Sequence, residues 1–241
     1  MSAGLFLAAG GLLSAAGGTA VYGVVAPNSP IFGPVIGRGP RSRRDLYLTF
    51  DDGPARDTGR VLDALAEAAA PAAFFVLGDR VARDPGPARA AADAGHELGN
   101  HTYTHRKLHW KGRRFIASEL HRTHEAIVAA TGRAPRVFRA PHGYRNPMVH
   151  AVARELRYRV FGWTVGVWDS DNPGAEEIRR RVRARLCPGA ILLLHDGDAY
   201  DPGGDRSQTA AALPEIIREA RDLGYTFRPL SDLWGDAEGP A

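Results

Sequence analysis

The sequence predicts an α/β fold of parallel βα units, and three observations support this prediction. Continuous apolar runs typical of buried parallel strands, such as residues 72–77 and 190–194, alternate with segments that have helical apolar spacing. Seven or eight such repeats suggest a closed barrel. Polar side chains follow several of the strands at their carboxyl ends, where (β/α) barrels build their active sites.

Apolar spacing and helix-ending residues predict each element in turn. Val61 and Leu65 recur at helical spacing, Pro147 suits the first turn of a helix, and Gly132 and Gly224 suit helix ends. The predicted strands cover residues 46–50, 72–77, 97–100, 137–140, 160–165, 190–194 and 225–230, and the predicted helices cover residues 57–69, 86–94, 113–130, 147–156, 175–186 and 209–223.

Composition sets broad limits on the class of protein. The chain has 241 residues, 44% of them hydrophobic and 24% charged, which is typical of a globular protein. The net charge of +4 is modest, and no nucleic-acid-binding motif appears, so we expect no nucleic-acid partner. A single cysteine, Cys187, allows no internal disulfide and does not indicate the compartment.

The chain divides into four parts by composition. Residues 1–26 are apolar and carry no charged side chain, which indicates a candidate membrane anchor or signal. No Lys or Arg precedes this apolar run, which argues against a standard signal peptide. Its many glycines weaken it as an isolated helix, so a flexible or domain-packed segment is the alternative. Residues 27–43, rich in Pro and Gly, are predicted to form a linker, residues 44–234 the main domain, and residues 235–241 a tail.

Two carboxylates and two histidines at strand ends predict a metal site. Asp51 and Asp52 end the first strand, and His101 and His105 follow the third. Two histidines with one carboxylate suit Zn²⁺, with Co²⁺, Mn²⁺ or Ni²⁺ as alternatives. Only one aspartate need bind the metal, which leaves the other free to act as a general base. Each motif alone is usually a turn or a surface feature, and their combination at successive strand ends favours the site.

Further polar and aromatic residues at the same rim complete the predicted site. His195 could protonate a leaving group, and Asp169 could hold its imidazole in the required tautomer. Arg139 could pair with the base carboxylate, and Leu193 could wall a small apolar pocket. Trp168 could line a sugar groove, with packing at the rim as the alternative.

Four motifs in this order resemble the polysaccharide deacetylases of the NodB-homology type, carbohydrate esterase family 4. They are Thr-Phe-Asp-Asp-Gly-Pro at 49–54, His-Thr-x-x-His at 101–105, Arg-x-Pro-x-Gly at 139–143 and Leu-Leu-His-Asp at 193–196. The resemblance covers about residues 44–234. It implies a distorted (β/α) barrel of about seven repeats that uses a divalent metal, commonly zinc, to remove N-acetyl, sometimes O-acetyl, groups from glycans.

The resemblance also implies a role for each motif residue. Asp51 would be the base and His195 the acid, while the backbone N–H of His142 would help to stabilise the oxyanion. The other implied roles are metal binding by Asp52, His101 and His105, orientation of Asp51 by Arg139, tuning of His195 by Asp169, and shaping of the acetyl pocket by Leu193.

This sequence departs from the family pattern at two motifs. Ala140 stands where a second proline is frequent, and His142 where an aromatic is usual. A backbone donor survives both changes. The aromatic Trp168 precedes Asp169, whereas the family often has the aromatic after the aspartate, so Asp171 is a second candidate for the partner of His195.

We therefore expect a monomeric, metal-dependent deacetylase of an acetylated glycan such as peptidoglycan or chitin-like oligomers. We expect it to be membrane-anchored or exported and to face the cell wall, with a cytoplasmic location as the alternative. Two other functions stay open at this point. One is a catalytically silent glycan-binding or cell-wall protein, and the other is a small-amide or cyclic-imide hydrolase with the same metal site.

Overall fold

Eight parallel strands form one curled sheet in the computed structural model, which describes residues 17–234. The order is β5-β4-β3-β2-β1-β7-β6, and β8 pairs with the beginning of β1. The strands are β1 (Asp45–Asp51), β2 (Ala72–Val76), β3 (Glu97–Asn100), β4 (Val137–Phe138), β5 (Arg159–Val160), β6 (Val165–Gly166), β7 (Ala190–His195) and β8 (Thr226–Phe227). This architecture confirms the predicted distorted (β/α) barrel.

Seven helices surround the strands between residues 45 and 234 and cover the outer face of the sheet. Alternate residues of β1 point to opposite faces, so Leu48 packs outward against helix residues such as Leu213, while Tyr47 packs inward with Phe75 and Ile191. The helices are α1 (Thr58–Glu67), α2 (Gly78–Arg83), α3 (Gly86–Asp93), α4 (Arg113–Thr131), α5 (Pro147–Glu155), α6 (Ala175–Arg183) and α7 (Ser207–Asp222).

The prediction of a single strand over residues 160–165 is wrong. The segment contributes to two short strands, β5 and β6, which lie at opposite ends of the sheet. Val160 in β5 pairs with Phe138, whereas Val165 in β6 pairs with Leu192. Residues at the start and at the finish of this segment have the apolar composition of a strand. Between them the chain crosses from one end of the sheet to the other. Periodicity alone cannot reveal a change of pairing partner.

The segment before β1 joins β5, at one end of the sheet, to the start of β7, the strand next to the other end. The amide of Ile36 donates to the carbonyl of Val160 at 2.9 Å, which attaches the segment to β5. The guanidinium of Arg38 donates to the carbonyl of Pro188 at 2.9 and 3.0 Å, beside the start of β7. Part of the predicted linker over 27–43 therefore closes the seam of the barrel.

The chain upstream of this seam packs on the loop after β4. Residues 17–25 are helical, and the amide of Arg145 donates to the carbonyl of Val24 at 3.3 Å while its guanidinium donates to Ser29 at 2.9 Å. Within residues 17–234, no helix has the length and apolar character needed to cross a membrane. The candidate anchor over 1–26 lies largely outside the described residues, as does the tail 235–241.

Candidate active site

The strand register brings the predicted site residues to one edge of the sheet. Asp51 at the end of β1 pairs with His195 at the end of β7. Asn100, the residue before His101, pairs with Phe138, the residue before Arg139. Because all these strands are parallel, their carboxyl ends carry the polar side chains to the same rim.

Asp52, His101 and His105 form a buried cluster of candidate metal ligands. The Oδ1 atom of Asp52 lies 3.4 Å from Nε2 of His101 and 3.2 Å from Nε2 of His105. Burial would raise the pKa of Asp52, but the adjacent imidazoles of His101 and His105 outweigh burial and hold it well below its usual range. Burial lowers the pKa of His105 to about 3, so its imidazole is neutral and free to coordinate.

The donor atoms of this cluster fit a divalent cation. Oδ1 of Asp52 is buried and has no hydrogen-bond partner in the protein. The ring of His101 donates from Nδ1 to the carbonyl of Arg139 at 2.8 Å, which leaves the Nε2 lone pair directed at Asp52. An orphaned buried carboxylate oxygen beside two imidazole nitrogens is the arrangement that a metal would satisfy.

Left-handed backbone conformations direct these ligands. Asp52 and His105 have φ values of 71° and 55°, a region that side-chain-bearing residues rarely adopt. Within the His101–His105 turn, Thr102 Oγ1 accepts from the amide of His105 at 3.1 Å, and buried Asn100 accepts from the amide of Thr102 at 2.9 Å. Such strain is held by the surrounding hydrogen bonds and clusters at functional sites.

Arg139 connects the candidate base to the candidate ligands. Its side chain is fully buried, and Nη1 donates to Oδ1 of Asp51 at 2.6 Å and to Oγ1 of Thr49 at 2.9 Å. Nη2 donates to the carbonyl of Gly162 at 2.9 Å, so the guanidinium is fixed on two sides. The other carboxylate oxygen of Asp51 faces His101 Nε2 at 3.7 Å.

His195 and Asp169 form a second pair across the rim. The ring nitrogen Nδ1 of His195 lies 2.9 Å from Oδ1 of Asp169, and the amide of His195 donates to the other carboxylate oxygen at 2.8 Å. Thr209 donates to that same oxygen at 2.9 Å, whereas Asp171 is exposed. Burial would lower the pKa of His195, but the charge and hydrogen bond of Asp169 outweigh it and raise the pKa to about 9.

The remaining predicted residues lie at different distances from this centre. His142 is exposed, has a φ of 57°, and its ring centroid is 5.0 Å from that of His105. Leu193 is partly exposed, two residues before His195 on the same face of β7. Trp168 is 60% exposed and lies under the guanidinium of Arg185, and none of its described contacts reaches the ligand cluster.

Several residues that support the site were missed by sequence analysis. Buried Glu119 of α4 accepts from the amides of residues 103 and 104, which fixes the His101–His105 turn. Arg80 of α2 and Arg206 are buried, and each donates to a carbonyl of the loop after His195. Arg80 also donates to the carbonyl of Asp52. That loop carries Tyr200, whose hydroxyl lies 2.9 Å from Nε2 of His142. A run of Asp, Gly and Pro at 201–205 marks a loop but predicts none of these contacts.

Comparison with known proteins adds independent information. A family model described as polysaccharide deacetylase matches residues 38–161. The chain is 39% identical over 194 residues to a chitooligosaccharide deacetylase of Rhizobium leguminosarum bv. trifolii, covering 78% of this chain and 90% of the relative. It is 36% identical over 200 residues to a peptidoglycan-N-acetylglucosamine deacetylase of Bacillus cereus, covering 80% and 90%. Among solved structures, a CE4 family pseudoenzyme from Bacillus anthracis superposes with a TM-score of 0.77 at 29% identity, covering 86% of this chain and 70% of that chain.

Proposed function

The chain belongs to the polysaccharide deacetylase family, and from this premise we propose that it hydrolyses N-acetyl groups of a glycan. The relatives that act on chitooligosaccharides and on peptidoglycan N-acetylglucosamine support an amide of a glucosamine residue as the substrate. The observation that carries the proposal is the placement of Asp51 and His195 on paired strand ends beside the buried ligand cluster of Asp52, His101 and His105.

We propose that Asp52, His101 and His105 hold a divalent cation, with Zn²⁺ as the first choice. The chemistry supplied by such a cation is polarisation of the acetyl carbonyl and a lowered pKa of water. The backbone supports this role, since the Arg139 carbonyl fixes the tautomer of His101.

In this proposal Asp51 is the general base. Its Oδ2 faces the ligand cluster, while Oδ1 is held by the guanidinium of Arg139, so the carboxylate presents one free oxygen to a water molecule. Proton transfer from that water to Oδ2 accompanies attack on the acetyl carbon. In the same proposal, the backbone N–H of His142 stabilises the oxyanion and Leu193 contacts the acetyl methyl group.

His195 is the general acid of the same proposal. Asp169 holds Nδ1, so Nε2 is the nitrogen that faces the site and carries the transferable proton. When the tetrahedral intermediate collapses, the C–N bond breaks, the amine nitrogen takes the proton from His195, and acetate leaves. The raised pKa of His195, about 9, keeps the imidazolium populated at neutral pH.

A catalytically silent, glycan-binding role is the second candidate, because a structural relative is named a pseudoenzyme. The contacts of this chain favour activity over silence. Binding alone requires neither an aspartate fixed by a buried arginine nor a histidine fixed by a buried aspartate, and both pairs are present here.

Acetate release by the full-length chain tests the proposal. The full chain is used because residues 36–39 are part of the barrel. We expect release from N-acetylglucosamine oligomers or peptidoglycan that is lost on chelation, restored by zinc and abolished in Asp51→Asn. No release from any acetylated glycan by zinc-loaded protein would overturn the proposal and favour the silent role.

A further inference from the structure

A continuous row of ring side chains leads away from the ligand cluster. Tyr200 and His142 lie beside His105, followed by Tyr144, His109 and Trp110, and we call these five residues the aromatic strip. Neighbouring ring centroids along His142, Tyr144, His109 and Trp110 are 5.6, 5.1 and 4.9 Å apart. The strip therefore has no gap between the site and its outer end.

Trp110 forms the outer end of the strip and is 85% exposed. A tryptophan this exposed is unusual among the described residues, since its large apolar surface is normally covered. The other exposed aromatic side chains have lower exposed fractions, such as 73% for Tyr200 and 60% for Trp168.

The loop that carries Trp110 is firmly attached to the domain. The side-chain nitrogen Nδ2 of Asn146 donates to the carbonyls of Leu108, His109 and Lys111 at 3.2, 3.2 and 3.0 Å. The side-chain oxygen of Asn146 also caps α5. Leu108 is fully buried beneath the loop. Trp110 is thus presented on a fixed support and not on a frayed segment.

Positive charge is concentrated around the strip. No acidic residue occurs between residues 106 and 118, and this segment contains both lysines of the chain. Its five cations are Arg106, Lys107, Lys111, Arg113 and Arg114. Only one of the five, Arg113, forms an ion pair among the described residues, and it does so with Glu155. The ammonium of Lys107 lies 6.0 Å from the ring centroid of Tyr144, within the strip itself.

We propose that the aromatic strip binds the continuing chain of an acetylated glycan that carries carboxylate groups. The inference rests on the proposed function, because it extends the substrate from the reacting sugar toward Trp110. The apolar faces of sugar rings pack on aromatic rings, and unpaired cations attract carboxylates along the same path. Peptidoglycan-like strands fit this surface better than a neutral polymer does.

Calorimetric titration with neutral N-acetylglucosamine hexamer and dimer tests the path. It is performed on the Asp51→Asn chain so that no turnover intervenes. We expect Trp110→Ala to weaken hexamer binding about tenfold and dimer binding less than about twofold, since only the longer chain reaches Trp110. Leu223→Ala, which shortens an apolar side chain exposed at the end of α7, is the matched control and leaves both affinities unchanged. Equal losses for hexamer and dimer, or no loss for hexamer, overturn the path.

Ionic strength tests the charge of the ligand. We expect peptidoglycan strands to bind more tightly than neutral hexamer at low salt, and this difference to shrink about tenfold as the salt rises toward about 1 M. A salt-independent difference, or tighter binding of the neutral hexamer at low salt, would exclude a carboxylate-bearing ligand.

Binding and turnover together separate this inference from the proposed function. If Trp110→Ala weakens hexamer binding but the unmodified chain releases no acetate, the strip is supported and the deacetylase activity fails. If the chain releases acetate and Trp110→Ala binds hexamer normally, the activity stands and the strip is wrong.

Discussion

The polar residues of the candidate active site, which we call the floor, differ in construction from the exposed aromatic strip beside them. The floor consists of Asp51, Asp52, His101, His105, Arg139, Asp169 and His195. Asp51, His101 and Arg139 lie at or directly after strand ends, and each is at most 4% exposed. Trp110 and Tyr200 lie on loops and are 85% and 73% exposed. The floor is fixed by strand register and by hydrogen bonds, whereas the strip is fixed only where its loops are attached.

This difference separates two kinds of control. Changes to the floor move groups that we expect to transfer protons or hold the cation, so they act on turnover whatever the substrate. Changes to the strip act on how much of a long glycan is held, so their effects depend on substrate length. The predictions below test this separation, beginning with the floor.

Asp52→Ala should have the largest effect, because it removes the only carboxylate oxygen of residues 17–234 that lies within 3.4 Å of both ligand imidazoles. We expect zinc content after dialysis to fall from about one per chain to almost none, with activity reduced on the order of a thousandfold. Elemental analysis and acetate release measure the two effects. Asp171→Ala, an exposed aspartate near the rim, is the control and should keep its zinc.

Arg139→Lys should come next, because an ammonium cannot bind Asp51 and the Gly162 carbonyl with the geometry of a guanidinium. We expect kcat to fall about a hundredfold on short and long substrates alike, while zinc is retained through the unchanged backbone carbonyl. Arg136→Lys, exposed just before β4, should be neutral. A loss confined to long oligomers would break the separation between floor and strip.

Asp169→Asn should shift the pH dependence of turnover. The pKa of His195 is raised to about 9, so the acid is protonated below that pH and is lost as the pH rises through it. Without the charge of Asp169, we expect the alkaline limb of kcat to move toward the ordinary histidine pKa of about 6.5. A pH profile with saturating substrate measures this shift. An unmoved alkaline limb would show that another group sets it.

Tyr200→Phe should have the smallest effect, and it tests whether a residue of the strip affects KM without affecting kcat. The substitution keeps the ring and removes the hydroxyl that lies 2.9 Å from His142. A single exposed hydrogen bond contributes at most about 1 kcal/mol, so we expect a two- to fivefold rise in KM for hexamer with kcat nearly unchanged. Tyr22→Phe, on the exposed N-terminal helix, is the control. A large fall in kcat would place Tyr200 in the floor instead.

The sequence predicted the floor because strand-end residues follow from alternation and register. Asp51 at the end of an apolar run and His195 at the end of another are local patterns, and parallel pairing brings them together without further information. The fold class followed from the same alternation. The exchange of pairing partners between β5 and β6 did not, since it depends on which strands lie nearby and not on residues 160–165.

The strip and the residues that support the floor could not be predicted from the sequence, because they depend on contacts between distant parts of the chain. Glu119 and Asn146 act through carbonyls and amides of distant loops, and neither belongs to a recognisable motif. The hydrogen bond between His142 and Tyr200 joins residues 58 positions apart. Left-handed conformations at Asp52 and His105 were equally hidden, because aspartate and histidine adopt them at only a small share of positions.

Arg139 contacts the site through both its backbone and its side chain, and this has an evolutionary consequence. Its carbonyl serves His101, while its guanidinium serves Asp51. A codon change at this one position alters the side chain and spares the carbonyl. If the proposed roles are right, a descendant that loses this guanidinium loses turnover in one step and keeps the proposed cation ligands and glycan-binding surface, on which a new, non-enzymatic role can be selected.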